Sequence, residues 1–226
     1  APATIVPDPT RHQPEINDEK TIPLMYAFIY ATDKYEGLVS IFARTLLDGN
    51  PLNNFLDKDS YLEQQELPPV VRYNPGGLLD GALNLTITGH YAYICCDRGL
   101  VIVDIEDPFK PRLVRVVSSG LASPRAVEVQ FRYAFVCDLD GIKVLDVTDL
   151  ENPRHVANVP MREAKSIYVA RTYAYVAAGS GGFKILDVTN PDMPVLDQVL
   201  TSAGVITALL HAQLGLHNVS YVPFTA

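Results

Sequence analysis

The sequence predicts an all-β protein assembled from β-propeller blades. Each blade has four antiparallel strands and about 41–42 residues, and the ring is incomplete. Three observations carry this. One phrase comes round as YAYICCDRGLVIVDIEDPFKP from Tyr91, YAFVCDLDGIKVLDVTDLENP from Tyr133 and YAYVAAGSGGFKILDVTNPDMP from Tyr173. Its glycines, Gly99, Gly141 and Gly182, and its aspartates, Asp104, Asp146 and Asp187, recur at intervals of 42 and 41 residues. Between turn-formers, its runs are dominated by β-branched and aromatic residues, the composition of strands rather than helices.

The elements follow in chain order. Residues 1–21 carry Pro2, Pro7, Pro9 and Pro14 and read as an extended N-terminal arm. The propeller segment spans 22–226. In its first repeat, 22–78, Tyr26–Ala31 (YAFIYA) and Gly37–Phe42 (GLVSIF) restate the phrase, but Gly37 lies 62 residues before Gly99. The excess falls in Leu46–Pro69, a polar, turn-rich insertion expected to form a surface loop. Repeats 79–120, 121–162 and 163–203 follow. In the middle one the strands are expected at Ala126–Gln130, Tyr133–Cys137, Ile142–Val147 and His155–Val159.

Gly99, Gly141 and Gly182 stand where the second strand folds back into the third, a turn that asks for positive φ. The third strand runs out at Asp-Pro, Asn-Pro or a near relative, and Pro111, Pro153 and Pro194 precede an outer strand. Apolar runs such as Leu100–Ile105 are nearly continuous, so neighbouring blades must stack over both faces. Lys143 is expected to alternate outward. A partial repeat, 204–226, offers Val205–Leu210 and Val222–Ala226 as strands and stops before its hairpin glycine. The chain is therefore expected to be a segment of a longer protein with an edge left to pair elsewhere.

Composition narrows the function classes. The net charge of -8 leaves no Lys/Arg stripe to neutralise phosphates, which argues against a nucleic-acid partner. No apolar run approaches the roughly 18–20 residues of a helical membrane span. Tryptophan is absent, which disfavours a tryptophan-aspartate propeller and a sugar-stacking platform. The three cysteines are Cys95, Cys96 and Cys137. Cys95 and Cys137 share a register that is Ala177 in the next copy, as small buried strand residues would. A vicinal redox pair or metal site at Cys95-Cys96 stays open. There is no CxxCH for c-type haem attachment.

The run GLVIVDIEDP at Gly99–Pro108, with GIKVLDVTD and GFKILDVTNP in the other copies, resembles the LVIVD-repeat propeller family of bacterial exported and surface proteins. The resemblance covers roughly residues 26–226. It implies the fold and an extracytoplasmic setting, and it brings no catalytic motif. Two stretches, EGLVSIFARTLLDGNPLNNFL and RYNPGGLLDGALNLTITGHYAYICCDRGL, look most like relatives that accompany multihaem c-type cytochromes. That implies a protein partner in electron transfer, with haem in the partner and no cofactor in this chain.

Candidate chemistry is sparse. Asp104, Asp146 and Asp187 each close a third strand, where a carboxylate can accept backbone N–H bonds and cap the turn. Asp48, Asn50 and Asp57–Asp59 offer oxygen ligands without the D-x-[DN]-x-[DN]-G order of a calcium loop. His12, His90, His155, His211 and His217 lack ligand spacing; a single one ligating a neighbouring subunit's haem iron stays open. The GSGG run at Gly179–Gly182 has no following helix and reads as a hairpin, not a phosphate loop. No G-x-S-x-G elbow is present. The expectation is a non-catalytic scaffold for protein–protein contact, with no catalytic, cofactor or metal residue. The insertion and the N-terminal arm are its expected contact segments. The alternative is an enzyme or ligand-binding module that uses the central channel and is completed from outside the segment.

Overall fold

The computed structural model describes residues 27–43 and 70–200. The described residues form four antiparallel sheets. The first holds β1 (Phe28–Asp33), β2 (Gly37–Phe42) and β3 (Val70–Tyr73). The second runs β4 (Asn84–Thr88), β5 (Tyr91–Cys96), β6 (Gly99–Asp104) and β7 (Arg112–Val117). The third runs β8 (Ala126–Gln130), β9 (Tyr133–Asp138), β10 (Gly141–Asp146) and β11 (Arg154–Pro160). The fourth runs β12 (Ser166–Ala170), β13 (Tyr173–Ala177), β14 (Phe183–Asp187) and β15 (Val195–Leu200). Strand order in each sheet is sequence order, the up-and-down meander of a propeller blade.

The register repeats as faithfully as the sequence. Tyr91 faces Asp104 and Cys96 faces Gly99; one period later Tyr133 faces Asp146 and Asp138 faces Gly141. The pairing of the third strand with the outer strand slips at one place in every full blade. The slip falls at Ile102/Val103, Val144/Leu145 and Ile185/Leu186. A bulge there adds twist, so the outer strand turns away from the blade plane.

Burial explains why no blade stands alone. The first strands β4, β8 and β12 pack against one another in succession, which makes them the inner wall. Their second and fourth residues point back to the preceding blade. Val127 and Val129 meet Tyr93, Cys95, Leu100 and Ile102; Ile167 and Val169 meet Phe135, Cys137, Ile142 and Val144. Their first residues point forward, and Asn84 Oδ1 accepts the Val127 N–H of the next blade at 3.0 Å. β6 and β10 are thus covered on both faces: every residue of β10, and all but the last of β6, is buried.

That packing corrects one expectation. Lys143 does not alternate into solvent: it is only 6% exposed, and its Nζ reaches back 2.8 Å to Asp140 at the hairpin. Both faces of β10 are interior, so the alternation that frees every second residue of a one-faced sheet does not operate. Lys143→Ala should cost about 1–2 kcal/mol in urea unfolding through lost packing of the aliphatic stem, above the roughly 0.5 kcal/mol of a surface change. The N-terminal arm, the whole of the 46–69 insertion and the 204–226 partial repeat lie outside the described residues.

Candidate functional site

The repeat residues sit at opposite ends of the third strands. Gly99 (φ +122°) and Gly141 (φ +149°) open β6 and β10, and Gly182 (φ +76°) follows a single 3-10 turn at Gly179–Gly181. At the other end, Asp104 Oδ1 accepts the Glu106 N–H at 2.9 Å and Asp187 Oδ1 accepts the Thr189 N–H at 2.8 Å. Asp146 Oδ1 accepts both the Thr148 N–H (2.9 Å) and its hydroxyl (2.6 Å). Outer-strand arginines complete two of these turns, Arg112 on Asp104 at 2.6 Å and Arg154 on Asp146 at 3.0 Å. In the fourth sheet Val195 stands in the arginine's place.

The Thr148 bonds, with Arg154, hold the Asp146 carboxyl down to about 2. Its contribution to stability is therefore present above the ordinary aspartate range and lost only as pH falls toward 2. Asp146→Ala should cost about 1–2 kcal/mol at neutral pH in urea unfolding, and the loss should shrink in acid.

One rim of the blades gathers two sets of turns. Ile105, Val147 and Val188 donate their N–H groups to the carbonyls of His90, Arg132 and Thr172, at 2.8, 2.7 and 2.7 Å. Each turn after a first strand is thereby tied to the turn after its third strand. The left-handed residue of the first turn is Gly89 in one blade, Arg171 in another and Phe131 (φ +54°) between them. Phe131 is 89% exposed, and beside it Arg132 lies 5.1 Å over the Tyr133 ring and donates to its hydroxyl at 2.9 Å. An exposed phenylalanine held at positive φ breaks both solvation and backbone preference. On the same rim the ligating atoms of His90, Asp104 and Glu106 lie within 4.8 Å of one another. The Arg112 guanidinium already balances that carboxylate.

The opposite rim is knitted by side chains that the repeat reading passed over. Asp138, fully buried, accepts the N–H groups of Ala122 and Ser123 and so latches the link between two blades to its hairpin. Glu163 does the same for the next link through Ser180 N–H (2.7 Å) and hydroxyl (2.8 Å). The signal was available: the aligned residues are Cys96, Asp138 and Ala178, so the charge is an anomaly at an apolar register. All three cysteines are free and buried, and burial pushes the thiols of Cys95, Cys96 and Cys137 up. Alkylation by iodoacetamide at pH 8 should be negligible in the folded chain and complete for all three in denaturant.

Two further features are polar. Glu128 on the inner strand β8 is pushed up to about 7 by burial. A cleft of about 260 Å³ between the outer strands β7 and β11 is lined by Arg115, Ser118, Ser119 and His155 with Val116, Val117, Leu145 and Pro153. His12, His211, His217 and the Asp48–Asp59 loop lie outside the described residues. Among the described residues no helix is long and apolar enough to cross a membrane.

The LVIVD repeat model matches residues 81–118 and 161–201 of the chain. The unmatched repeat between them has the same four strands and register. No curated protein matches. Among solved structures, the N-terminal domain of Nup159 superposes with a TM-score of 0.50 at 11% identity, over 83% of this chain and 45% of that one. PorZ, a surface component of the type-IX secretion system of Porphyromonas gingivalis, gives 0.47 at 14% identity, over 76% of this chain and 22% of that one. AztD from Citrobacter koseri gives 0.41 at 16%, over 78% and 46%. These likenesses concern fold, and the chain spans less than half the length of each of the three.

Proposed function

From LVIVD repeats folded as consecutive propeller blades, we propose a non-catalytic interaction module that presents its Phe131 rim to a protein partner in an extracytoplasmic assembly. The observation that carries this reading is Phe131 itself. Its aligned neighbours are Gly89 and Arg171, of which neither exposes an apolar ring, whereas Phe131 leaves one in water unless something covers it. The repeat aspartates are occupied by their own turns, and Asp104 and Asp146 also by arginines, which supports a building role for them. Phe131→Gly separates fold from function: it removes the left-handed strain, so unfolding in urea should need about 0.5–1 kcal/mol more, while capture of the partner from native extract should fall away. Full retention of capture would place the interface elsewhere.

The partner class we propose is a multihaem c-type cytochrome, on the family resemblance. The visible spectrum of the complex purified on this chain tests it. A Soret band is expected, and a colourless complex rejects the cytochrome while leaving the rim testable. A second reading has its own observation. The carboxyl of Glu128, on the inner strand β8 and raised to about 7 by burial, supports a ligand-binding or catalytic module that uses a central channel.

A further inference from the structure

The second sheet departs from its counterparts at the end of its third strand. In the third and fourth sheets a threonine two residues past the repeat aspartate caps it. Thr148 gives Asp146 Oδ1 both its N–H and its hydroxyl, and Thr189 donates its N–H to Asp187 Oδ1. Glu106 stands in that place in the second sheet. Its N–H still reaches Asp104 Oδ1 at 2.9 Å, but it brings a second carboxylate where the others bring a hydroxyl donor. Arg112, on Asp104 Oδ2 at 2.6 Å, balances one of these two charges. The turn alongside departs from the repeat as well. Where the next two blades have Arg132 and Thr172, this one has His90. The Ile105 N–H donates to the His90 carbonyl at 2.8 Å and fixes the two turns side by side. The imidazole packs on the Tyr91 ring, with centroids 4.1 Å apart.

We propose that His90, Asp104 and Glu106 bind a divalent transition-metal ion, and that zinc is the ion they suit. Two departures from the repeat fall in one blade, and each supplies a metal-binding side chain next to the aspartate that every blade has. One ligand atom from each of the three lies within 4.8 Å of the others. Ligand atoms about 2.0–2.2 Å from a tetrahedral zinc ion stand about 3.3–3.6 Å apart, so a shift of about 1 Å closes the set. The exposed Glu106 side chain supplies it by rotation. Calcium and magnesium take oxygen ligands, whereas an imidazole with carboxylates suits zinc. The ion sits on the Asp104 Oδ1 lone pair that the Thr148 hydroxyl fills on Asp146, and it offsets the charge that Arg112 does not. Three protein ligands leave one position open to water at the rim.

Calorimetric titration of the full chain with zinc chloride tests this, with substitutions that follow the repeat. The wild-type chain should bind zinc at micromolar concentration and unfold at a higher temperature in its presence. Glu106→Thr, which restores the residue type of Thr148 and Thr189, should weaken that binding more than tenfold, and so should His90→Gln. Without metal, both variants should keep the circular dichroism spectrum of the wild type. Cobalt(II) in the same site should show visible d–d absorption without a thiolate charge-transfer band, which separates it from binding at Cys95, Cys96 or Cys137. A wild-type chain that binds no zinc at micromolar concentration overturns the proposal. So does a thiolate band, or zinc binding that either substitution leaves unchanged.

Discussion

Gly141→Val is expected to destabilise the chain by about 3–5 kcal/mol, read as a fall in the urea midpoint at constant slope. Two costs combine. Gly141 has φ +149°, a conformation that a β-branched residue adopts only with strain. A Cβ there also falls against the carbonyl oxygen of Val159 and within 3.0 Å of the Met161 N–H, backbone atoms of the outer strand that cannot rotate away. The turn itself demands the positive φ; the neighbouring strand forbids the side chain. Gly99 meets the Val117 carbonyl in the same way, so Gly99→Val should match it. A loss below about 1 kcal/mol at both positions would mean that the outer strands yield and that the repeated glycine is a convenience of sequence.

Glu128→Gln is expected to stabilise the folded chain by about 1–2 kcal/mol at pH 8 and to change little at pH 4. Burial lifts this carboxyl from 4.5 to about 7, so across that interval the folded state holds a proton that the unfolded state has released. The stability that Glu128 allows is present in full below pH 4.5 and is lost as pH rises through 7. Glutamine keeps the shape without the ionisation. The magnitude is set below the full shift because the side chain is only partly withdrawn from water. The difference between the two chains, followed by urea unfolding from pH 4 to pH 8, should open between pH 5 and 7. A flat difference would mean that Glu128 ionises as freely folded as unfolded, which would remove the basis for proton chemistry at the inner wall.

Much of the blade was legible in the residues. Strand periodicity and turn chemistry are local, so Ala126–Gln130 falls where composition puts it, and the other three strands of that repeat move by a residue or so at their ends. The hairpin glycines were legible for the same reason: positive φ is a demand of the turn, met within a few residues of chain. The resemblance added the family of the repeat, which the LVIVD model matches in two of the copies.

Other features were not legible, and they share a cause. Lys143 reads as an outward residue only if its strand has one wet face; the stacking of the next blade removes that face. Asp138 stands out as a charge at an apolar register, but its partners Ala122 and Ser123 are brought to it only by the fold, from the link before its blade. The unguarded edge of β15 emerges only when Val195 is seen across from Asp187, in the place that Arg112 and Arg154 hold elsewhere.

By itself the sequence determined the repeat, its strands and its turns, because each depends on residues close together in the chain. Only the tertiary structure decided which polar groups are buried, which turn leaves an aromatic ring in water, and which edge stands without a cation. Those depend on what an adjacent blade brings within reach, and that contact spans one period or more of sequence.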